Sequence, residues 1–178
     1  MNLLICIAYI ISEGDTIAVG VSGGKDSLCA LLALAGLRRF YPINYSLKAI
    51  TLDLGYNTDY HLISELCNQL SVEYHIVPTQ IKQVVFDIRK EENPCALCAN
   101  MRRGALNNTA KELGCNKVVL GHHLDDAVDT FLMSLIYEGR LSSFAPVTYL
   151  DRSQLYVLRP LLYCREYDTK SITKDQNL

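Results

Sequence analysis

Thr16-Ile-Ala-Val-Gly-Val-Ser-Gly-Gly-Lys-Asp-Ser27 decides the fold. Its first half is a short apolar run with β-branched residues, the pattern of a buried strand. A double glycine and a lysine follow. From Asp26 to Leu37 the periodicity turns helical, with Leu28, Leu31, Leu32 and Ala35 on one face and Gly36 near the end. A strand, a glycine-rich turn and a helix in succession form the first half of a βαβ unit.

Outward from this stretch the alternation continues. Leu47–Asp53 reads as a second strand, and Asp59–Leu70 as a helix with Leu62, Leu66 and Leu70 aligned. Val72–Val77 reads as a third strand, stopped by Pro78. After an irregular stretch at Glu91–Pro94, a helix is expected from about Leu97 to Leu113, ended by Gly114. Lys117–Gly121 is a fourth strand. Leu124–Glu138 is a helix with Leu124, Val128, Phe131, Leu132, Leu135 and Ile136 as its core stripe, closed by Gly139. Shorter strand-like pieces lie near Val147 and at Tyr156–Leu158. This order predicts an α/β fold: a parallel sheet flanked by helices on both faces, in one domain covering 1–178. The tail from Lys170 shows no apolar closure, which reads as a chain stopping short of the native domain's end.

Composition narrows the function classes. The net charge of −2 excludes polyanion binding by bulk electrostatics, so nucleic-acid contact needs a local basic patch. The seven cysteines (6, 29, 67, 95, 98, 115 and 164) are odd in number and mostly without framework spacing, which favours reduced thiols in a cytoplasmic protein. Met1–Ser12 is nearly all apolar. It lacks a signal peptide's charged start and cleavage site and is too short to span a bilayer, so it reads as a buried leading element with no membrane role.

Ligands of open α/β sheets gather at the carboxyl ends of the strands. Ser22-Gly23-Gly24-Lys25-Asp26-Ser27 lies there. Its glycines let the backbone approach an anion, the helix start offers unpaired N–H groups, and Lys25 adds a positive charge. It is no Walker A loop, because Val19 stands where the first glycine belongs and Asp26 follows Lys25 in place of Ser or Thr. It is no dinucleotide fingerprint either. Asp26 beside a phosphate calls for a cation or a capping contact.

Two further constellations carry chemistry. Cys95-Ala-Leu-Cys98 places two thiolates on one side of the chain, suited to a metal, an iron–sulfur cluster or disulfide exchange. Gly121-His122-His123-Leu124-Asp125-Asp126 follows the fourth strand at the ligand edge. There His122 or His123 can meet phosphate, and Asp125 and Asp126 can hold Mg²⁺. For Asp126 and Asp129 plain helix-dipole complementarity explains the acidic first turn equally well. Arg102 and Arg103, just after the cysteine pair, are candidate RNA contacts.

The loop SGGKDS resembles the hallmark of the PP-loop, or N-type, ATP pyrophosphatases, which have a Rossmann-like (HUP-type) fold and split ATP between its α and β phosphates. That resemblance implies pyrophosphate ligands at Gly23, Gly24, Lys25 and Ser27. It implies nucleotide contacts at Val21, Ser22, Asp53, Gly121 and His122, and a catalytic part for Lys25 and Asp26. With PCALC followed by Met101–Gly104, GHHLDD, and Arg159–Glu166, the chain is similar to the tRNA 2-thiocytidine synthetase family from about Glu13 to Glu166. What this implies is ATP-dependent tRNA thiolation with Mg²⁺: a base carbonyl is adenylated, pyrophosphate leaves, and sulfur displaces AMP. Cys95 and Cys98 would be catalytic ligands of a [4Fe–4S] cluster. The family's third cysteine ligand lies beyond the Arg159–Glu166 segment, and Cys164 does not map onto it. The implied partners are tRNA and a sulfur donor such as a cysteine desulfurase, and a homodimer is compatible. Two alternatives stay open, an amidating or lysidine-type synthetase and a non-catalytic module holding zinc through the pair plus His122 or His123.

Overall fold

The computed structural model describes residues 11–89 and 94–175. Most of the leading segment 1–12 and of the Glu91–Pro94 stretch lies outside the described residues; Ile11 is buried in the core.

Six strands form one sheet: β1 (Thr16–Gly20), β2 (Ser46–Asp53), β3 (Glu73–Pro78), β4 (Lys117–Val119), β5 (Val147–Leu150) and β6 (Leu155–Leu158), in the order β3-β2-β1-β4-β6-β5. All neighbours pair in parallel except β5, which runs antiparallel beside β6 at the edge. The expectation of a parallel sheet therefore needs correcting at that edge. β5 and β6 are joined by a tight turn, and a short connection can return the chain only antiparallel.

The helices are α1 (Lys25–Leu37), α2 (His61–Gln69), α3 (Pro94–Glu112), α4 (Leu124–Met133) and α5 (Glu166–Asp175). Successive strand residues face opposite sides, and the two cores follow that period. Ile17, Val19, Leu47, Ala49 and Val119 pack with α1 and α2 on one face. Ala18, Ile50 and Val118 pack with Leu106 and Ala110 of α3 on the other. Full burial of each large aliphatic side chain contributes about 1.5–3 kcal/mol.

Two helical faces differ from expectation. In α2 the inward residues are Ile63, Leu66 and Cys67, while Leu62 stays exposed; the stripe is rotated by one residue. The larger correction concerns α4. Its expected core stripe is solvent-facing: Val128, Phe131, Leu132, Leu135 and Ile136 are all exposed, and none of α4's residues is buried. Helical periodicity identifies a face that is apolar without specifying what covers it. Among the described residues α4 packs mainly on its own π-helical continuation, Ser134–Glu138, and on the 3₁₀ turn Pro160–Tyr163. No described helix is long and apolar enough to cross a membrane.

Candidate functional site

Strand order reverses between β1 and β4, and a crevice at the carboxyl ends of the strands opens at such a switch point. The loops after these two strands meet there. Val21 fastens the first loop to β2: its N–H donates to the Ile50 carbonyl (2.8 Å), and its carbonyl accepts from Thr51 Oγ1 (2.7 Å). Ser27 Oγ donates to the Gly24 carbonyl (2.8 Å) and accepts from Ser22 N (3.2 Å), folding the loop back on itself. Gly23 takes φ +83°, a left-handed value that other residues rarely adopt.

α1 opens at Gly24, which provides no side-chain cap, so the free N–H groups of the first turn remain available to an anion. α4 contrasts with it. There His123 caps the helix: its Nδ1 accepts from Asp126 N (3.3 Å), and Asp126 Oδ2 accepts from His123 N (2.9 Å). That reciprocal box closes the second N-terminus. Asp126 thus has the helix-capping role, and Asp125 accepts from Glu166 N (2.7 Å). One oxygen of each carboxylate expected to hold Mg²⁺ is already engaged.

The two loops touch. A Cβ on Gly121 would lie 2.8 Å from the Asp26 carbonyl carbon and oxygen and 2.9 Å from Ser27 N, so only glycine permits this approach. His123 Nε2 comes within 3.9 Å of Asp26 Oδ2. His122 faces the other way, stacked on Phe144 at 4.7 Å between centroids. Of the two histidines, it is therefore His123 that turns toward the phosphate loop. Asp53 ends β2 on the far side, its Oδ1 accepting from Gly55 N (2.9 Å) and Tyr60 OH (3.3 Å).

Lys25 and Asp26 are fixed by a segment that the sequence reading left out of the site. Lys25 Nζ lies 2.9 Å from Asp26 Oδ2 and 3.0 Å from Glu166 Oε1, and Thr169 Oγ1 donates to Asp26 Oδ1 at 2.6 Å. α5 thus folds over the loop. The Asp26 hydrogen bond raises the pKa of Lys25 against an opposing burial effect, and Glu166 adds to the rise. Burial pushes the Asp26 carboxyl up, but the Thr169 and Lys25 hydrogen bonds outweigh it and leave it below its ordinary value. Glu166 is held down to about 2 by Lys170 and then by Lys25. A carboxylate with a depressed folded-state pKa stabilises above its unfolded value, near 4.5, and loses that contribution as pH falls toward 2. The Tm difference between the native chain and Glu166→Gln should accordingly be constant above pH 5 and vanish on acidification through that window. A difference as large at pH 2 as at pH 7 would rule out the ion pair as its source.

Cys95 and Cys98 lie one turn apart on the first turn of α3, which starts at Pro94 and not near Leu97. Proline fits the opening position of a helix, where its missing N–H is not needed. Cys95 is exposed and Cys98 half-buried, both accessible to a ligand. Cys29 and Cys67 are core residues whose thiols burial pushes up to about 11. Cys164 lies against that same core, close enough to Cys29 to raise its pKa further. Among the described residues no three His, Cys, Asp or Glu side chains gather to hold a metal. The pair supplies two soft ligands, and the described residues supply no third, neither Cys164 nor a histidine. Arg102 and Arg103 are exposed on α3, about one turn beyond Cys98.

A family model described as the PP-loop domain matches residues 5–178. A tRNA-cytidine(32) 2-sulfurtransferase of Aliivibrio salmonicida is 41% identical over 163 residues, covering 89% of this chain and 52% of that protein. One from Geobacter sulfurreducens is 40% identical over 161 residues, covering 88% and 62%. The chain thus spans little more than half the length of these relatives. Among solved structures, a U34-tRNA thiolase of Methanococcus maripaludis with a [4Fe–4S] cluster superposes with a TM-score of 0.80 at 24% identity, over 99% of this chain and 62% of that one. A phosphoadenylyl-sulfate reductase of Candida auris gives 0.63 at 12%, over 100% and 81%. These two likenesses bear on the fold alone.

Proposed function

The chain belongs to the PP-loop domain family, and on that premise we propose that it is the ATP-using part of a tRNA sulfurtransferase that thiolates a base, with cytidine the favoured target. The observation that carries this reading is the convergence at the switch point: an uncapped helix start, Lys25, and a second loop that only Gly121 allows to come so close. ATP would lie across the strand ends with Mg²⁺. The loop amides and Lys25 would stabilise the departing pyrophosphate while a base carbonyl oxygen attacks the α-phosphate, giving an adenylate. Val21, Ser22, Gly23, Gly24 and Ser27 shape the cradle, with Asp53 and Gly121 bordering the nucleotide; His122, expected there, turns away onto Phe144, and His123 takes that side. Asp26 holds Lys25 in place. Asp125 and Asp126 would meet Mg²⁺ through their remaining oxygens.

The accessible Cys95–Cys98 pair favours thiolation over amidation, which needs no thiolate site. Cys95 and Cys98 would hold part of a [4Fe–4S] cluster, which would present sulfur from a donor such as a cysteine desulfurase; as the C–S bond forms, the C–O bond of the adenylate breaks and AMP leaves. Arg102 and Arg103 would contact the tRNA. The proposal extends to a cytoplasmic location and to a second copy as dimer partner.

Anaerobically purified full-length protein should lose its iron and its thiolation activity in Cys95→Ala, while ATP affinity stays within twofold. An iron-replete variant would remove Cys95 from the cluster. A strain lacking the gene whose tRNA kept all its thiolated nucleosides would dismiss the activity altogether.

A further inference from the structure

One strand beyond the crevice, three side chains from separate elements pack together, and a fourth lies within electrostatic reach of them. His122 follows β4, Arg159 follows β6, Phe144 precedes β5 and Arg103 stands on α3. The Arg159 guanidinium carbon lies 5.3 Å from the centre of the ring on which His122 stacks. One arm of Arg159 is anchored, Nη1 donating to the Ala145 carbonyl (2.8 Å) and to Thr148 Oγ1 (3.1 Å). Its Nε and the Nδ1 of His122 are buried without any hydrogen-bond partner among the described residues. Leaving such groups unsatisfied is costly, and a bound acceptor would relieve the cost.

The electrostatics are one-sided. Burial lowers the pKa of His122, and Arg159 and Arg103 lower it further against a weaker pull from Asp126. Burial lowers that of Arg159, and Arg103 adds to it. Among the described residues no carboxylate relieves Arg159. The Arg159 guanidinium and the His122 imidazole therefore flank one ring with buried nitrogens unused, and a second guanidinium, Arg103, adds positive charge nearby, an arrangement complementary to a compact anion with several acceptor oxygens.

We propose that Arg159, Arg103 and His122 form a second phosphate-binding site, walled by Phe144 and separate from the phosphate loop. The phosphate comes either from the backbone of an RNA or from a bound nucleotide. Only the choice between these sources rests on the function proposed above.

Inorganic phosphate, followed by ³¹P line broadening, tests the site itself in a Lys25→Ala chain whose loop is weakened. Broadening should persist there and fall at least fivefold when Arg103→Gln or Arg159→Gln is added. Broadening that neither substitution changes overturns the proposal. Arg159→Gln also removes the anchors to Ala145 and Thr148, so Arg103→Gln, at an exposed position, carries the test if the first variant does not fold. The source follows from titrating a labelled tRNA anticodon-arm RNA and ATP into otherwise native chains. An RNA phosphate predicts about tenfold weaker RNA binding and a salt slope shallower by about one per lost contact. A nucleotide phosphate predicts the loss in ATP affinity instead. Unchanged affinity for both overturns the assignment even if inorganic phosphate binds. A native chain that binds RNA through Arg103 but has no affinity for ATP would end the ATP-using reading and leave this site standing.

Discussion

Replacing Lys25 with alanine is expected to slow pyrophosphate release by about 10²–10³-fold, the usual loss when one preorganised donor is removed from a developing charge. Lys25 is the cation at the mouth of an uncapped helix start, and Asp26 and Glu166 hold its ammonium group from two sides at 2.9 and 3.0 Å. Both carboxylates favour its charged form, so the positive charge is in place before any nucleotide arrives. Part-exposed ion pairs of this kind contribute little to folding, and the variant's Tm should change by no more than a few degrees. The deficit should therefore show in turnover and not in stability. It is measured by pyrophosphate release with ATP and tRNA, alongside a thermal melt. Release at the native rate in a folded Lys25→Ala chain would strip the loop of its assigned role.

Much of this was legible from residue types alone. β-Branched runs between helical periods produced the sheet, because a strand buried on both faces reads as continuous hydrophobicity and a covering helix reads as a stripe. The loop could be placed because its glycines, lysine and neighbouring strand all agree. What escaped depends on tertiary placement. The apolar period of α4 is as regular as that of α1, yet one is covered and the other is not, since periodicity carries no information on partners. Adjacent histidines look equivalent in a string; only the backbone at the start of α4 turns His123 inward as a cap and sends His122 to Phe144. Glu166 and Thr169 lie about 140 residues from Lys25 and Asp26, and their only signal was an acidic residue closing the Arg159–Glu166 segment. The cysteine pair was visible, but its place on the first turn of α3 depends on how Pro94 starts that helix.

Gly121→Ala tests the geometry behind the site more directly than any charged residue. The added methyl would lie 2.8 Å from the Asp26 carbonyl group and 2.9 Å from Ser27 N, all of it backbone. Neither side can yield cheaply, since β1 and β4 are locked in register, Val19 opposite Val119, just below the two loops. Relief requires the first turn of α1 to shift, and with it the N–H groups that would meet phosphate. Overpacking of this kind costs about 3 kcal/mol, which for a chain of this size lowers Tm by roughly 6–12 °C. Gly20→Ala is the matched control. Its methyl would lie 2.9 Å from Leu106 Cδ2, the far end of a side chain that can rotate away, so about 1 kcal/mol and a few degrees are expected. ATP affinity should fall sharply in Gly121→Ala and hardly at all in Gly20→Ala, because only the first displaces the helix start. Equal melting temperatures and equal affinities for the two variants would mean that the β1 and β4 loops do not meet as described, and the crevice on which the nucleotide site depends would lose its foundation.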